Sequence, residues 1–185
     1  MEKLILFLEN LIPIDDKAKA FLGNAIQNVE IKKKHSLLEP GQKAKNLFFI
    51  KQGILRGYTI QKRKDITTWF SFENEFSTSL SSFLSGDPSF EGIEAVEDCE
   101  LFSISYEYLN ELYLGFPEFE RVGRLLIEQF YIELEMRMIQ FQFKSARERY
   151  SYFLKKYSHI SHRIPLTHIA SYLGITKETL SRIRS

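Results

Sequence analysis

The run EFERVGRLLIEQFYIELEMRMIQFQF, Glu118 to Phe143, follows Pro117 and repeats Phe119, Gly123, Leu126, Phe130, Leu134, Arg137 and Phe141 at steps of three and four. That is the period of an α-helix, and the run predicts a single helix about 40 Å long. It constrains the chain more than any other stretch, because Leu125, Ile127, Ile132, Met136 and Ile139 place apolar side chains on its other faces as well. A helix apolar on more than one face needs more than one partner. One face is assigned to the body of its own chain and a second to the same helix of another copy. The expected subunit interface is Phe119, Gly123, Leu126, Phe130 and Leu134, where Gly123 serves either close helix approach or ordinary packing.

Upstream the period changes. After an amphipathic start and a second short helix around Lys17 to Asn28, residues 29–104 read as strands: VEIKKKHSLLEPGQ, NLFFIKQGILRGYTI, ITTWFSF and CELFSISY carry β-branched and aromatic residues between turn signals. Pro40-Gly41 and Gly53 fall where a reversal or a positive φ is expected. This region is expected to be all-β. A chain of 185 residues that is 44% hydrophobic has enough apolar material for a real core. The opening MEKLILFLENLIPI lacks a basic start and its apolar run is broken at Glu9 and Asn10, so it does not read as a secretion signal. No apolar run reaches the roughly 18–20 residues that span a bilayer. No membrane partner and a cytoplasmic address are expected. A single cysteine, Cys99, excludes an intrachain disulfide and a metal cluster held by cysteines, and is expected to pack in a strand. His35 beside its lysines and the pair His159 and His162 read as surface residues, so no metal site and no catalytic arrangement is expected.

Charge is uneven along the chain. The net value is +1, but residues 145–185 hold eight Lys or Arg against two acids, a local surplus of +6 that leaves −5 for the rest. Such asymmetry points to a nucleic-acid partner or to a solvated helix face. The same segment is helical. Ser145 with Glu148 three residues on reads as a capping box, and Pro165 suits the first turn of a further helix. Within HIASYLGITKETLSRIRS, Ala170 sits where two helices cross and Gly174 where the turn needs left-handed backbone, with Ile169, Leu173, Ile175, Leu180 and Ile183 as the buried face. This is the spacing of a helix-turn-helix. Thr176 caps its second helix and leaves Lys177, Glu178, Thr179, Ser181, Arg182 and Arg184 outward. Those residue types suit the major groove of double-stranded DNA, where Arg and Lys donate to guanine, Glu accepts from cytosine and hydroxyls reach phosphates.

The β-rich region, the long helix and the terminal LTHIASYLGITKETLSRIR together resemble the Crp/Fnr family of bacterial transcription regulators. The resemblance covers essentially the whole chain. Gly41 and Gly53, within LLEPGQ and LFFIKQGILRGY, resemble the turn glycines of that family's cyclic-nucleotide-binding roll, and CELFSISYEYLNEL resembles its last strand running into a helix. The resemblance implies an α+β fold. Residues 1–115 would form an antiparallel β-roll (a double-stranded β-helix) acting as sensor, 116–143 a dimerisation helix, and 144–185 a helix-turn-helix domain whose usual β-hairpin wing is absent or truncated. It implies base contacts from Lys177, Glu178 and Arg182, backbone or base-edge positions for Thr176, Thr179 and Ser181, a homodimer, and RNA polymerase as a partner.

One departure bears on the signal. Family members that bind cyclic AMP hold its phosphate with a Gly-Glu pair and an arginine about eleven residues on. Aligned on the ISY motif, those positions are Thr78, Ser79 and Ser89 here. The candidate effector pocket of Phe76, Ser77, Thr78, Ser79 and Ser89 therefore lacks the charge a phosphate needs, and the acidic Glu91 and Glu94 follow it. Cyclic AMP is not the expected ligand, and the sequence names no other effector or cofactor. The main expectation is a DNA-binding regulator. The alternative is a ligand-binding signalling module, acting through protein contacts, with a vestigial helix-turn-helix.

Overall fold

The computed structural model describes residues 1–184. Two helices, α1 (Glu2–Glu9) and α2 (Asp16–Ala25), lead into strands β1 (Gln27–Ile31), β2 (Ser36–Leu38), β3 (Asn46–Gln52), β4 (Leu55–Gln61), β5 (Lys64–Ser71) and β6 (Phe76–Ser77). A short helix α3 (Leu80–Ser85), strands β7 (Gly92–Ala95) and β8 (Cys99–Ser105), and helix α4 (Tyr106–Gly115) follow. The second helix stops at Ala25, earlier than its sequence suggests, because Ile26 is extended and β1 begins at Gln27.

The strands form two four-stranded antiparallel sheets, ordered β1-β8-β3-β6 and β2-β7-β4-β5. The alternation of side chains explains how they pack. Phe48 and Ile50 of β3, with Leu101 of β8, point between the sheets and join Leu38, Leu55, Ile93 and Ala95 in one core. Phe49 and Phe102 point the other way, sit opposite each other in the register and stack 6.5 Å apart under α1, α2 and α4. Each such buried aromatic contributes about 2–3 kcal/mol of apolar transfer. Gly53 bends the chain between β3 and β4 at φ 105, and a Cβ there would lie 2.5 Å from Cys99 Sγ. That position accepts only glycine. Cys99 itself is buried in β8, where burial pushes its thiol up to about 11.

Helix α5 (Glu118–Phe143) has the limits its sequence period predicts. Its first turns drive Phe119 and Val122 into the cluster formed by α1, α2 and α4. It ends because Lys144 is extended and Ser145 starts α6 (Ala146–Lys156) with a complete capping box, the Ser145 N–H donating to Glu148 Oε2 at 2.8 Å. A 3-10 turn (Ser161–Arg163), α7 (Leu166–Tyr172) and α8 (Lys177–Arg184) complete the described chain. Pro165 stands just before α7 as its N-cap rather than within the first turn.

These last helices do not form their core alone. Phe153, Tyr157, Ile160, Ile164, Ile169, Ala170, Leu173 and Leu180 pack with Phe70 of β5 and with Ile54 and Val96 from turns between strands. Ile183, expected in that buried face, is only half-buried.

Candidate nucleic-acid interface

The turn between α7 and α8 is fixed by backbone chemistry. Gly174 adopts φ 67, its N–H bonds to Ser171 O at 3.0 Å, and the Ile175 N–H bonds to Ala170 O at 3.0 Å. These two bonds are the Schellman pair that ends a helix on a left-handed residue. A side chain at Gly174 would meet the Phe141 ring at 2.9 Å. Ala170 is buried at the crossing, and Leu180 anchors α8 into the shared core. The Thr176 hydroxyl accepts from the Thr179 N–H at 3.2 Å and so caps α8.

The result is a short helix held by one buried leucine with its opposite side outward. Lys177, Glu178, Ser181, Arg182 and Arg184 are exposed, Thr176 is exposed beside them, and Thr179 is half-buried. Among the described residues no carboxylate lies within salt-bridge distance of Lys177, Arg182 or Arg184. The Glu178 carboxyl lies below its ordinary range because its own backbone N–H and the Thr176 hydroxyl bond to it, with Lys177 and Arg182 nearby. The surface therefore combines cations, hydroxyls and one ionised acceptor.

The terminal helices are locked against the sheets by polar contacts as well as by their core. Arg163 donates to Glu73 through Nη1 (3.1 Å) and Nη2 (2.5 Å), and also reaches Glu97. Partial burial raises the Glu73 carboxyl, but Arg163 and the Gly53 N–H more than offset this and hold it at about 2. Ser171 Oγ accepts from the Thr67 N–H at 2.9 Å. Beneath that contact the buried Arg56 makes a two-pronged pair with Asp65, 2.6 Å on each side, and reaches Glu94 at 3.0 Å. Nothing in ILRGYTI identifies Arg56 as buried, since its partners lie 9 and 38 residues away.

The candidate effector residues lie near α3, and two of them, Ser79 and Ser89, are already engaged with each other. Ser79 and Ser89 are buried, their Oγ atoms 2.8 Å apart. Ser89 has one proton, and Glu91 O, 2.6 Å away, can only accept it, so Ser79 donates to Ser89. The Glu91 N–H takes the remaining lone pair of Ser89. Thr78 Oγ1 donates to Asn46 O at 2.9 Å. Phe76 packs edge-on against Phe7 and Phe49, away from this network. Only the buried Ser77 hydroxyl lacks a partner. The Glu91 carboxylate accepts from Thr68 and Trp69 Nε1, which ties the end of this segment to β5.

The expected subunit stripe on α5 divides. Phe119 is buried in the chain's own core, Gly123 lies under the Tyr113 hydroxyl, Leu126 packs on the same cluster, and Phe130 lines a cavity with Phe72 and Glu75. Only Leu134 faces outward. It belongs to a different row, Ile127, Tyr131, Leu134 and Met138, exposed by 42–67% and spaced 4-3-4. The 3.6-residue period finds both rows but cannot say which one the body of the chain covers.

Residues 28–115 match the cyclic nucleotide-binding domain family. The fumarate and nitrate reduction regulatory protein of Vibrio cholerae is 29% identical over 171 residues, covering 83% of this chain and 65% of that protein. Electron transport regulator A of Shewanella oneidensis is 27% identical over 173 residues, with the same shares covered. The chain thus spans about two thirds of the length of these relatives. Among solved structures, FixK2 from Bradyrhizobium japonicum superposes with a TM-score of 0.77 at 18% identity, over 86% of this chain and 82% of that one. A Crp/Fnr-family regulator from Eubacterium rectale gives 0.73 at 22%, over 95% and 86%. At such identities the agreement is one of fold.

Proposed function

We propose that this chain, a member of the Crp/Fnr family by its roll, its long helix and its terminal helix pair, is a transcription regulator that reads double-stranded DNA through α8. The observation that carries this reading is the α7–α8 unit: a closed Schellman turn, a buried anchor and an outward face of Lys177, Glu178, Arg182 and Arg184. A vestigial motif would have no reason to keep both the turn chemistry and the exposed cations. Lys177, Glu178 and Arg182 are assigned to base edges; Thr176, Thr179, Ser181 and Arg184 to the backbone or its vicinity.

The chain works as a homodimer. The outward row Ile127, Tyr131, Leu134 and Met138 repeats at 4-3-4, the spacing that lets two helices interlock along a seam. Two recognition helices related by the dimer axis then read an inverted repeat with half-sites about one helical turn apart. The relatives are themselves regulators, which supports a non-enzymatic role; RNA polymerase is the further partner that a transcription regulator of this family would engage. No helix among the described residues is long and apolar enough to cross a membrane, and DNA places the work in the cytoplasm.

Selection from random DNA tests the reading. A palindrome is expected, with affinity falling steeply as salt rises because Lys and Arg displace counterions from phosphates. A folded dimer that enriches no sequence would overturn it in favour of signalling through protein contacts. Light scattering should give about twice the 21.8 kDa chain mass, and Leu134→Glu should yield the monomer.

A further inference from the structure

The C-terminal end of α7 rests on two guanidinium groups. Arg137 Nη2 donates to Tyr172 O at 3.4 Å, Arg149 Nε donates to Leu173 O at 3.1 Å, and Arg149 Nη1 donates to Lys144 O at 2.8 Å. Helix C-termini favour cations, and this accounts for those three groups. It does not account for the charge. The one acid lining the cavity that Arg137 and Arg149 share is Glu133, and it pairs with Lys156 at 3.1 Å. Both guanidinium groups instead lie over the Phe141 ring, at 4.9 and 5.1 Å, and Arg137 also lies over Tyr172 at 4.2 Å.

Two polar atoms in this cavity are shut away from solvent with no partner: Arg137 Nη1 and Gln140 Oε1. Buried donors without partners are costly, and those on a cation more so. A water would offer such atoms a partner but would bring no negative charge to the two guanidinium groups. An anionic oxygen satisfies the charge as well, and half a turn of the Gln140 amide presents its NH2 group to that same oxygen. The cavity holds about 20 Å³, enough for one such oxygen. Past Met136, Tyr152 and Lys156 it gives onto a groove of about 460 Å³ between α5 and α6, walled by Leu125 and Ile132.

We propose that this is a binding site for a small organic acid, its carboxylate on Arg137 and Gln140 with Arg149 and Lys156 alongside, and its apolar body lying along Leu125, Ile132 and Met136. The ligand ties the long helix to the end of α7, one residue before the turn that feeds α8. The site lies on the opposite side of α5 from the proposed dimer seam and makes no use of the hydroxyl network near α3.

Thermal melting of the whole chain tests this without DNA, so failure here leaves the proposed function untouched. Millimolar sodium hexanoate, against sodium chloride at equal ionic strength, should raise the midpoint by roughly 2–5 °C, while 1-hexanol and inorganic phosphate should not. Arg137→Lys keeps the charge but loses the fork, and Ile132→Asp alters an exposed wall of the groove without touching a core. Each should melt cooperatively and lose most of the hexanoate shift. An equal shift from phosphate would overturn the organic-acid class, and an equal shift from hexanol would overturn the carboxylate contact. No shift in the wild type, or a shift that survives in both variants, would overturn the site.

Discussion

The segment around α3 and the outer face of α8 are both rich in polar side chains, and they dispose of them in opposite ways. Around α3, Ser79, Ser89 and Thr78 bond to each other and to nearby backbone, and the Glu91 carboxylate bonds to Thr68 and Trp69 of β5. A ligand phosphate at Ser79 and Ser89 would have to break internal bonds before making its own, although Lys43 and Lys45 line a cavity with Thr78. On α8 the Thr176 hydroxyl caps the helix, Leu180 enters the shared core, and the cations face solvent. In the first region the buried Ser77 hydroxyl is the candidate group left without a bond; the second presents a whole set of cations to solvent.

The sharpest way to break this contrast is to remove the anchor of α8. Leu180→Ala empties a fully buried position and should cost about 3 kcal/mol. Because Leu180 shares its core with Phe70 and Ile54, denaturation should show the loss across the chain and not in the terminal helices alone. A loss of DNA affinity with unchanged stability would mean that α8 does not depend on that core.

A second test lies between the two regions. Burial pushes the Glu75 carboxyl up to about 7, with Glu133 adding repulsion while the Phe72 N–H and Lys156 only partly oppose it. The unfolded chain loses this proton near its ordinary 4.5, so between about pH 4.5 and 7 the folded state binds the extra proton. Stability therefore falls as pH rises through that window and levels off above it. Glu75→Gln should remove the slope and add on the order of 2–3 kcal/mol at pH 8, read by urea denaturation across pH.

Arg182→Ala should weaken specific DNA binding by about 1–3 kcal/mol and relax the preference at one position per half-site. An equal loss on every sequence would make it a phosphate contact. The smallest effect should come from the closed region. Ser89→Ala breaks one neutral network and should cost about 1 kcal/mol of stability without changing DNA affinity. Calorimetry with cyclic AMP should give a dissociation constant weaker than about 1 μM, or roughly −8 kcal/mol. Tighter binding would show that the hydroxyl network opens for a phosphate after all.

What the sequence discloses follows from how far its signals reach. The limits of α5, the capping box of Ser145 and Glu148, and the left-handed Gly174 are all set within a few residues of chain, and each is legible there. The outward row of α5 is not. Apolar residues surround that helix, and which of them the roll covers depends on α1, α2 and α4 from elsewhere in the sequence. Arg56 and Arg163 are equally opaque, because their carboxylate partners stand 9 to 90 residues away. The serine network is legible as a loss of charge but not as a saturated set, since only the geometry counts protons and lone pairs.

The core shared by the terminal helices and the sheets also sets an order of assembly. Phe153, Ile169 and Leu180 need Ile54, Phe70 and Val96 to close around, and those three belong to strands and turns made much earlier in synthesis. A ribosome delivers the roll first, so each late helix emerges to find its template already formed. The same terminal helices synthesised alone would leave that apolar side bare and prone to associate, whereas the strands keep a core of their own between the two sheets. Truncation from the two ends of this chain is thus not symmetric: the late part depends on the early part for its folding more than the early part depends on it.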